Sequence, residues 1–356
     1  MPLQRQTERQ AKKVCPNFPF VMYSLQFPMR EILGQTKLAK HLGLLLLFFI
    51  LLAVKGQVCL AETPAHALII APHPDDEALM GAGIIYRYVK ENEKIRVIVI
   101  TNGDAEGSVA GLRRQAETVN AMAILGLREE DIIFLGYPDD RLLEIVKTSD
   151  EGKVFTSVDG LRSETFGEHG LGRRDWHSFR FGTSAKYTKG NLISDLALVM
   201  KTYQPRDIFT TAAEDVHPDH SSTYLLVEEV LQRFHFNDVK LHKTIIHDTP
   251  GDGPWPNPAD DSGVPERFQP ESRFLLPPIS RNTSLNQLRL ERFELAPPLR
   301  VKSKRNLKLR VLQAYASQYS STFNAYCHRD EFFWLANSEG GGESTRPSSS
   351  SKTPTN

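Results

Sequence analysis

The chain has 356 residues, 43 Lys and Arg against 43 Asp and Glu, 40% hydrophobic residues and three cysteines. These counts exclude a collagen, a wholly disordered chain and a small disulfide-stabilised protein. The charge is unevenly distributed, because residues 1–61 hold eight basic and two acidic side chains, which leaves 35 against 41 for residues 62–356. The mildly acidic main part disfavours a nucleic-acid-binding protein.

The N-terminal region has the pattern of a secretory signal. A basic flank precedes thirteen uncharged residues, Leu42–Val54, and Cys59-Leu60-Ala61 follows as a small-residue cleavage site. We expect residues 1–61 to be an N-terminal extension with a signal peptide, starting at Met1 or Met29, and the protein to be exported to the periplasm or outside the cell. The alternative is an uncleaved membrane anchor at 42–54, although this run is short for a membrane span of about 20 residues.

The two ends of the chain set the expected domain limits. If residues 1–61 are removed, Cys327 is the remaining cysteine, so no intramolecular disulfide is expected. Residues 337–356 are rich in Ser and Gly and have almost no apolar residue, and we expect a disordered tail. Residues 62–336 are therefore the expected folded domain.

The central region alternates between apolar β-branched runs and helical periodicity, which predicts an α/β fold. We expect a Rossmann-like, doubly wound, mostly parallel sheet with long loops over the active-site face. The predicted strands are Ala67–Ala71, Ile95–Thr101, Ile132–Leu135, Asp207–Thr211 and Leu241–His247, and the predicted helices are Asp76–Glu91, 110–125, about 190–203, 221–234 and a basic amphipathic helix over 301–318 packed on the sheet edge.

Two segments interrupt this alternation. Residues 137–189 are rich in Gly, Arg and aromatic residues, and residues 249–278 contain eight prolines. Loops of this length often cover a functional site, so Trp176 and Trp255 could stack on a ligand ring, although each could equally well only hold its own loop in place.

Two His-Pro-Asp tripeptides carry the chemistry. His73-Pro74-Asp75 is followed by Asp76 and directly follows the first predicted strand, while His217-Pro218-Asp219 is followed by His220 and comes after the strand at 207–211. Ligands of open parallel sheets bind outside the carboxyl ends of the strands, so the two motifs should meet in one crevice. Histidines and carboxylates gathered there predict a metal site, because a cation offsets their mutual repulsion.

Within this cluster, the spacing favours three metal ligands. His73 and Asp76 lie three residues apart at the start of a helix, and His220 can complete a three-ligand zinc site with an open position for water. The same donor set also suits Fe²⁺. Asp75 and His217 then remain as the base and as the acid or oxyanion-stabilising group of a hydrolase. Four other histidines, His66, His235, His242 and His328, have no partner pattern and are expected to be surface or core residues.

The sequence APHPDDEALMGAG resembles the signature of the PIG-L/LmbE family of zinc-dependent N-acetylglucosaminide deacetylases, and HPDH at 217–220 is similar to its second motif. Further agreements lie at Arg114–Glu117, Gly136–Asp139 and Tyr315–Gln318, so the resemblance covers most of residues 66–335.

The resemblance implies a role for each residue at a matching position. His73, Asp76 and His220 would bind zinc, Asp75 would be the general base, and His217 would stabilise the oxyanion and protonate the leaving amine. By the same resemblance, Asp219 would orient His217, and Arg114 and Asp139 would line the substrate pocket.

These observations predict an enzyme, a metal-dependent hydrolase of amide C–N bonds that removes an N-acetyl group from an amino sugar or glycoconjugate. A metal-dependent phosphoesterase and a non-catalytic sugar-binding module are the alternatives. Contact with a membrane is expected only through an uncleaved N-terminal segment.

Overall fold

A computed structural model describes residues 64–249, 253–254, 268–273 and 285–336, all within the unit that begins at Glu62. The expected signal or anchor, Trp255 and the expected C-terminal tail lie outside the described residues. Among the described residues, no helix combines the length and apolarity needed to cross a bilayer.

The described chain forms strands and helices in alternation over its first two thirds. The strands are β1 Ala67–Ala71, β2 Ile95–Thr101, β3 Ile132–Tyr137, β4 Asp207–Thr211, β5 Lys240–Thr244, β6 His247–Thr249, β7 Gly253–Pro254, β8 Arg289–Glu294 and β9 Asp330–Leu335. The helices are α1 Asp76–Lys90, α2 Ser108–Leu125, α3 Leu142–Lys147, α4 Trp176–Phe181, α5 Lys189–Tyr203, α6 Pro218–Arg233 and α7 Leu307–Gln313.

Seven of these strands form one sheet in the order β3-β2-β1-β4-β5-β9-β8. Strands β1 to β5 are parallel, and β9 runs antiparallel to both β5 and β8. The chain moves outward in opposite directions from the central pair β1 and β4, so the crevice between their carboxyl ends is the topological switch point. The predicted doubly wound, mostly parallel α/β sheet is confirmed.

Both faces of the sheet are covered because successive side chains of a strand point to opposite sides. Leu68 and Ile70 of β1 pack into a core with α3, α5 and α6, whereas Ile69 packs into a second core with α1, α2 and α7. This two-sided burial explains why the parallel strands read as continuous apolar runs.

The structure corrects three of the expected elements. The apolar run 241–247 is interrupted, because β5 ends at Thr244 and His247 begins β6, which pairs with β7. The helix expected over 301–318 is limited to Leu307–Gln313, where the Asn306 side chain accepts a hydrogen bond from the N–H of Leu309, and it packs on α1 and α2 rather than on the sheet edge. The segment 137–189 contains α3 and α4 in addition to loops.

The Trp176 side chain lies in the core and does not reach a ligand cavity. It is 1% exposed and contacts Phe179 and Tyr203, with the Arg180 guanidinium over its ring. Its role is to hold its own loop against the sheet, which was the second of the two expectations.

Helix α1 is interrupted at Gly81, and a buried ion pair lies beside the break. Gly81 has non-helical dihedral angles, and the Glu331 carboxylate accepts hydrogen bonds from the N–H groups of Gly83 and Ile84. Lys308 Nζ donates to the carbonyl of Leu79 and to Glu331 Oε1, at 3.2 and 2.7 Å. The side chains of α7 and β9 therefore satisfy the backbone groups that the helix break would leave unpaired.

Candidate active site and metal centre

The two His-Pro-Asp motifs meet at the carboxyl ends of β1 and β4. His73 lies in the turn that connects β1 to α1, and Asp76 is the first residue of α1. His217 is the N-cap residue of α6, Pro218 occupies the first helical position, where a missing N–H costs nothing, and His220 lies in the first turn. Helix α6 begins three residues earlier than expected, which places the whole second motif on its N-terminus.

Three side-chain atoms converge at the centre of the site. His73 Nδ1 lies 3.0 Å from Asp76 Oδ2, His220 Nε2 lies 3.2 Å from the same oxygen, and the two nitrogens are 3.3 Å apart. Ligands about 2.0–2.2 Å from a tetrahedral zinc are separated by about 3.4 Å, so this triangle fits a small divalent cation. The structure thus brings the three predicted ligands together, all of them buried.

The second ring nitrogen of each histidine ligand faces a carboxylate. His220 Nδ1 lies 3.2 Å from Asp215 Oδ2, and His73 Nε2 lies 3.0 Å from Asp139 Oδ1 and 3.4 Å from Asp219 Oδ2. Carboxylates in this position fix the tautomer and the ring orientation of metal-binding histidines. These contacts support the metal assignment independently of the ligand triangle.

The titration behaviour of the cluster shows an excess of negative charge. Burial lowers the pKa of His73, but nearby Asp139, Asp219 and Asp76 outweigh burial and hold it well above its usual range. Burial likewise opposes the charged form of His220, yet Asp76 and Asp215 raise its pKa to about 10. Positive charge near these carboxylates is therefore stabilising, and either protons on the histidines or a divalent cation can supply it.

The Asp75 carboxylate is not part of the ligand triangle. Asp75 is the N-cap residue of α1, but within the described chain its side chain caps no backbone N–H. Its Oδ2 lies 3.5 Å from Arg114 Nη2, and it lines the same cavity as His217. Burial raises the pKa of Asp75 to about 8, while the Arg114 guanidinium acts in the opposite direction.

His217 has a defined hydrogen-bonding arrangement. Its Nδ1 accepts a hydrogen bond from the backbone N–H of Asp219 at 3.2 Å, so the neutral ring carries its proton on Nε2. Burial, together with the neighbouring His73 and His220 acting as like charges, lowers the pKa of His217 to about 4. The ring is therefore a neutral donor around pH 7.

Asp219 lies differently from the expectation that its carboxylate orients His217. Its backbone N–H, and not its carboxylate, contacts His217. The carboxylate accepts hydrogen bonds from the N–H groups of Asp140 and Leu142 and faces His73. The N–H of a residue two positions after an N-cap donates to the capping side chain, so the backbone of Asp219, and not its carboxylate, contacts His217.

Arg114 and Asp139 both line the cavity. Arg114 donates to Asp139 Oδ2 at 3.4 Å and to the carbonyls of Pro74 and Gly103. The cavity has a volume of about 300 Å³, at the lower end of the range for small-molecule pockets. Further residues that line it are Leu79, Asp140, His247, Gln318 and Phe323.

Sequence reasoning missed several of the site's residues. Asp215 holds His220 and accepts the N–H groups of Ile246 and His247, and it could have been found from its place two residues before the second motif. His247 follows the carboxyl end of β5, the next parallel strand, which is the same signal that identified His73 and His217. Tyr315 contacts Glu77 across 238 residues, and no local pattern indicates that contact.

Comparison with known proteins gives a family match over the first part of the described chain. Residues 68–231 match the family model described as PIG-L: GlcNAc-PI de-N-acetylase.

Several solved structures resemble the chain at low sequence identity. The zinc-inhibited form of teicoplanin deacetylase Orf2 is 16% identical, with 75% of this chain and 96% of that chain covered and a TM-score of 0.43. N,N'-diacetylchitobiose deacetylase from Pyrococcus horikoshii is 14% identical, with 71% and 70% covered and a TM-score of 0.38. The conserved protein TT1542 from Thermus thermophilus is 20% identical, with 51% and 66% covered and a TM-score of 0.34, so this chain spans just under two thirds of its length.

Proposed function

Residues 68–231 match the PIG-L family model, and from this premise we propose that the protein is a metal-dependent hydrolase that removes an N-acetyl group from an amino sugar or glycoconjugate. The observation that carries the proposal is the ligand triangle of His73, Asp76 and His220 in a cavity that also holds two polar groups outside the triangle, Asp75 and His217. Three ligands are sufficient for a catalytic zinc, and a base and a donor beside them are what amide hydrolysis requires.

Zn²⁺ is the proposed cation, with Fe²⁺ as the alternative. Two imidazoles and one carboxylate with an open coordination position suit both ions, and the supporting carboxylates Asp139, Asp215 and Asp219 raise the basicity of the histidine ligands. When bound there, the cation would polarise the amide carbonyl and lower the pKa of a water towards about 7.

Asp75 is the proposed general base and, later, the general acid. It accepts a proton from the water as the water oxygen attacks the amide carbonyl. When the C–N bond breaks, the same carboxyl group returns that proton to the departing nitrogen, so the neutral amine leaves together with acetic acid, which ionises to acetate by giving its own proton to the solvent. The cycle begins from the ionised carboxylate, which burial disfavours and which the Arg114 guanidinium, 3.5 Å away, favours.

His217 is proposed to stabilise the oxyanion as a neutral donor. Because its Nδ1 accepts the N–H of Asp219, its Nε2–H is available to the carbonyl oxygen of the substrate. A proton added to Nδ1 would break that contact, so the geometry does not favour His217 as the acid that protonates the amine. A neutral donor still contributes to rate, because it strengthens as negative charge develops on the oxygen.

The substrate wall is proposed to include Arg114 and Asp140. The Asp139 carboxylate is already occupied by His73, by Arg114 and by the N–H of Asp140, so its role is to hold these groups in place. Asp140 lines the cavity beside it and its side chain is exposed, which suits contact with sugar hydroxyl groups.

The alternative functions differ in their metal content and in their need for Asp75. A two-metal phosphoesterase would need a second cation, and the candidate set His73, Asp139 and Asp219 lies on the opposite edge of the same His73 ring. In this set, Asp139 Oδ1 and Asp219 Oδ2 both accept a hydrogen bond from the N–H of Asp140, which favours a supporting role for these carboxylates over a second metal site. A sugar-binding module would not need a base at Asp75.

The test combines elemental analysis with an assay for amine release. Purified protein should contain one Zn²⁺ or Fe²⁺ per chain and should release acetate and a free amine from at least one N-acetylated sugar in a panel. Chelation should abolish turnover, and re-addition of the cation should restore it. Two cations per chain with phosphate-ester hydrolysis would favour the phosphoesterase, and sugar binding without turnover would favour the binding module.

Export is a separate proposal that rests on the apolar run 42–54 and the site at Cys59-Leu60-Ala61. N-terminal sequencing of the protein from its native cells should find the chain beginning near Glu62. An intact 42–54 segment on the mature chain would instead indicate a membrane anchor.

A further inference from the structure

Asp75 has a backbone conformation that L-residues rarely adopt. Its φ is 134° and its ψ is −32°, although it is not glycine. A residue held in such a region costs about 1–3 kcal/mol and persists only where its surroundings enforce it. The catalytic turn, residues 73–76, therefore needs a group that stabilises Asp75 in this conformation.

That group is the carboxylate of Glu77. Glu77 Oε2 accepts a hydrogen bond from the backbone N–H of Asp75 at 3.0 Å, and Glu77 Oε1 accepts one from the Tyr315 hydroxyl at 2.5 Å. The side chains of Glu77 and Tyr315 are completely buried. Hydrogen bonds thus connect Tyr315, just after α7, through Glu77 to the backbone of Asp75 in the catalytic turn.

Simple packing does not explain a carboxylate at this position. Burying an acidic group is costly, and an apolar side chain of similar volume would fill the same space at lower cost. The Glu77 carboxylate accepts a hydrogen bond from the N–H of Asp75, which has no acceptor within helix α1 because Asp75 precedes the helix. Without it, the N–H of Asp75 would be buried and unpaired, or the turn would relax.

We propose that Glu77 and Tyr315 are positioning residues that hold the Asp75 backbone in its strained conformation and so direct the Asp75 carboxylate into the cavity. This inference rests on the proposed function, because it takes Asp75 as the base. It also assigns a part in the reaction to the segment that follows α7, which lies outside the family match at 68–231.

The first test uses a change that removes one hydroxyl. In Tyr315→Phe, kcat per cation-loaded chain should fall about 10–100-fold, the range for a catalytic group displaced by about 1 Å, with KM within two-fold and cation content unchanged. Tyr319→Phe is the matched control, because Tyr319 is in the same segment and donates its hydroxyl to Asn324. It should retain the wild-type kcat. Equal rates in wild type and Tyr315→Phe would overturn the role of Tyr315.

The second test asks whether Glu77 acts as a hydrogen-bond acceptor or only fills space. Glu77→Gln keeps an oxygen for the N–H of Asp75 and an NH₂ group that can donate to Tyr315, so its kcat should stay within about ten-fold of wild type, whereas Glu77→Leu should lose 100-fold or more. Equal loss in both folded variants would overturn the role of the acceptor.

A crystal structure of each Glu77 variant provides a readout that does not depend on activity. Relaxation of the Asp75 φ in Glu77→Leu, but not in Glu77→Gln, would support the positioning role even if wild type released no amine from any sugar, in which case the proposed function alone would fail. An unchanged Asp75 φ in Glu77→Leu would overturn the positioning role.

Discussion

The Asp219 carboxylate lies 3.4 Å from Nε2 of His73, on the ring edge opposite the one that faces Asp76. Its remaining contacts are the N–H groups of Asp140 and Leu142, which fix it in place. Asp219 is therefore connected to the cation site through His73, whereas its contact with His217 is made by the backbone alone.

Replacing Asp219 should weaken the cation site. We expect Asp219→Ala to reduce zinc affinity about 10–100-fold, the usual effect of removing a carboxylate that orients a histidine ligand. Competition with a chelator measures this directly. Asp238→Ala changes an exposed carboxylate before β5 and should bind zinc as wild type does. Unchanged affinity in Asp219→Ala would contradict the supporting role.

Removing any ligand of the triangle should remove the cation. His73→Ala, Asp76→Ala and His220→Ala should each lose stoichiometric zinc and turnover, because two ligands do not hold a catalytic ion. Elemental analysis after gel filtration is the measurement. The control is His235→Asn, at an exposed position with φ 59°, which asparagine tolerates, and it should keep both. Any of the three variants that retained zinc at wild-type affinity would lose its assignment as a ligand.

Asp75→Asn should separate cation binding from catalysis. The amide keeps the volume and polarity of the side chain but cannot accept a proton, so zinc should be retained while kcat falls about 10²–10⁴-fold. Metal content and amine release are measured on the same sample. A near wild-type rate in the zinc-loaded variant would refute the acid–base scheme and strengthen the phosphoesterase and binding-module alternatives.

The buried pair Lys308–Glu331 should matter far more for stability than a pair at the surface. Lys308→Met leaves the Glu331 carboxylate buried without its cation, and we expect a loss of about 3 kcal/mol in the free energy of unfolding. Denaturant titration gives the value. Lys186→Met breaks a pair with Glu164 in which both side chains are about half exposed, so a change of about 0–1 kcal/mol is expected. A similar loss in the two variants would contradict this difference.

His328 should make the protein less stable in mild acid. Burial lowers the pKa of His328 to about 4, below the unfolded value of about 6.5. Between these values the unfolded chain binds the extra proton, so the stabilising contribution is complete above pH 6.5 and is lost as the pH falls towards 4, by about 3 kcal/mol at most. Unfolding of wild type and His328→Gln at equal zinc concentration should show a shallower pH dependence in the variant. Parallel curves would contradict the prediction.

The sequence alone determined the parallel sheet and the meeting of the two His-Pro-Asp motifs at one crevice. Continuous β-branched runs identified the parallel strands, and the position of each His-Pro-Asp motif just after a strand was enough to place both at one crevice. The predicted helix 110–125 ends where Gly126 takes the left-handed conformation with φ 99°. These features can be read from short stretches of sequence, because they depend on the pattern of apolar side chains, on the conformational freedom of glycine and on the geometry of a parallel sheet.

Only the tertiary structure decided which distant side chains contact one another. The contact of Tyr315 with Glu77, the Asp219 carboxylate facing His73 and the pairing of Lys308 with Glu331 join residues that are 238, 146 and 23 positions apart. The direction of a side chain depends on its rotamer and on the space left by distant elements, and neither is written in the local pattern of residues. The helix expected over 301–318 is likewise limited to Leu307–Gln313, the stretch that packs against α1 and α2.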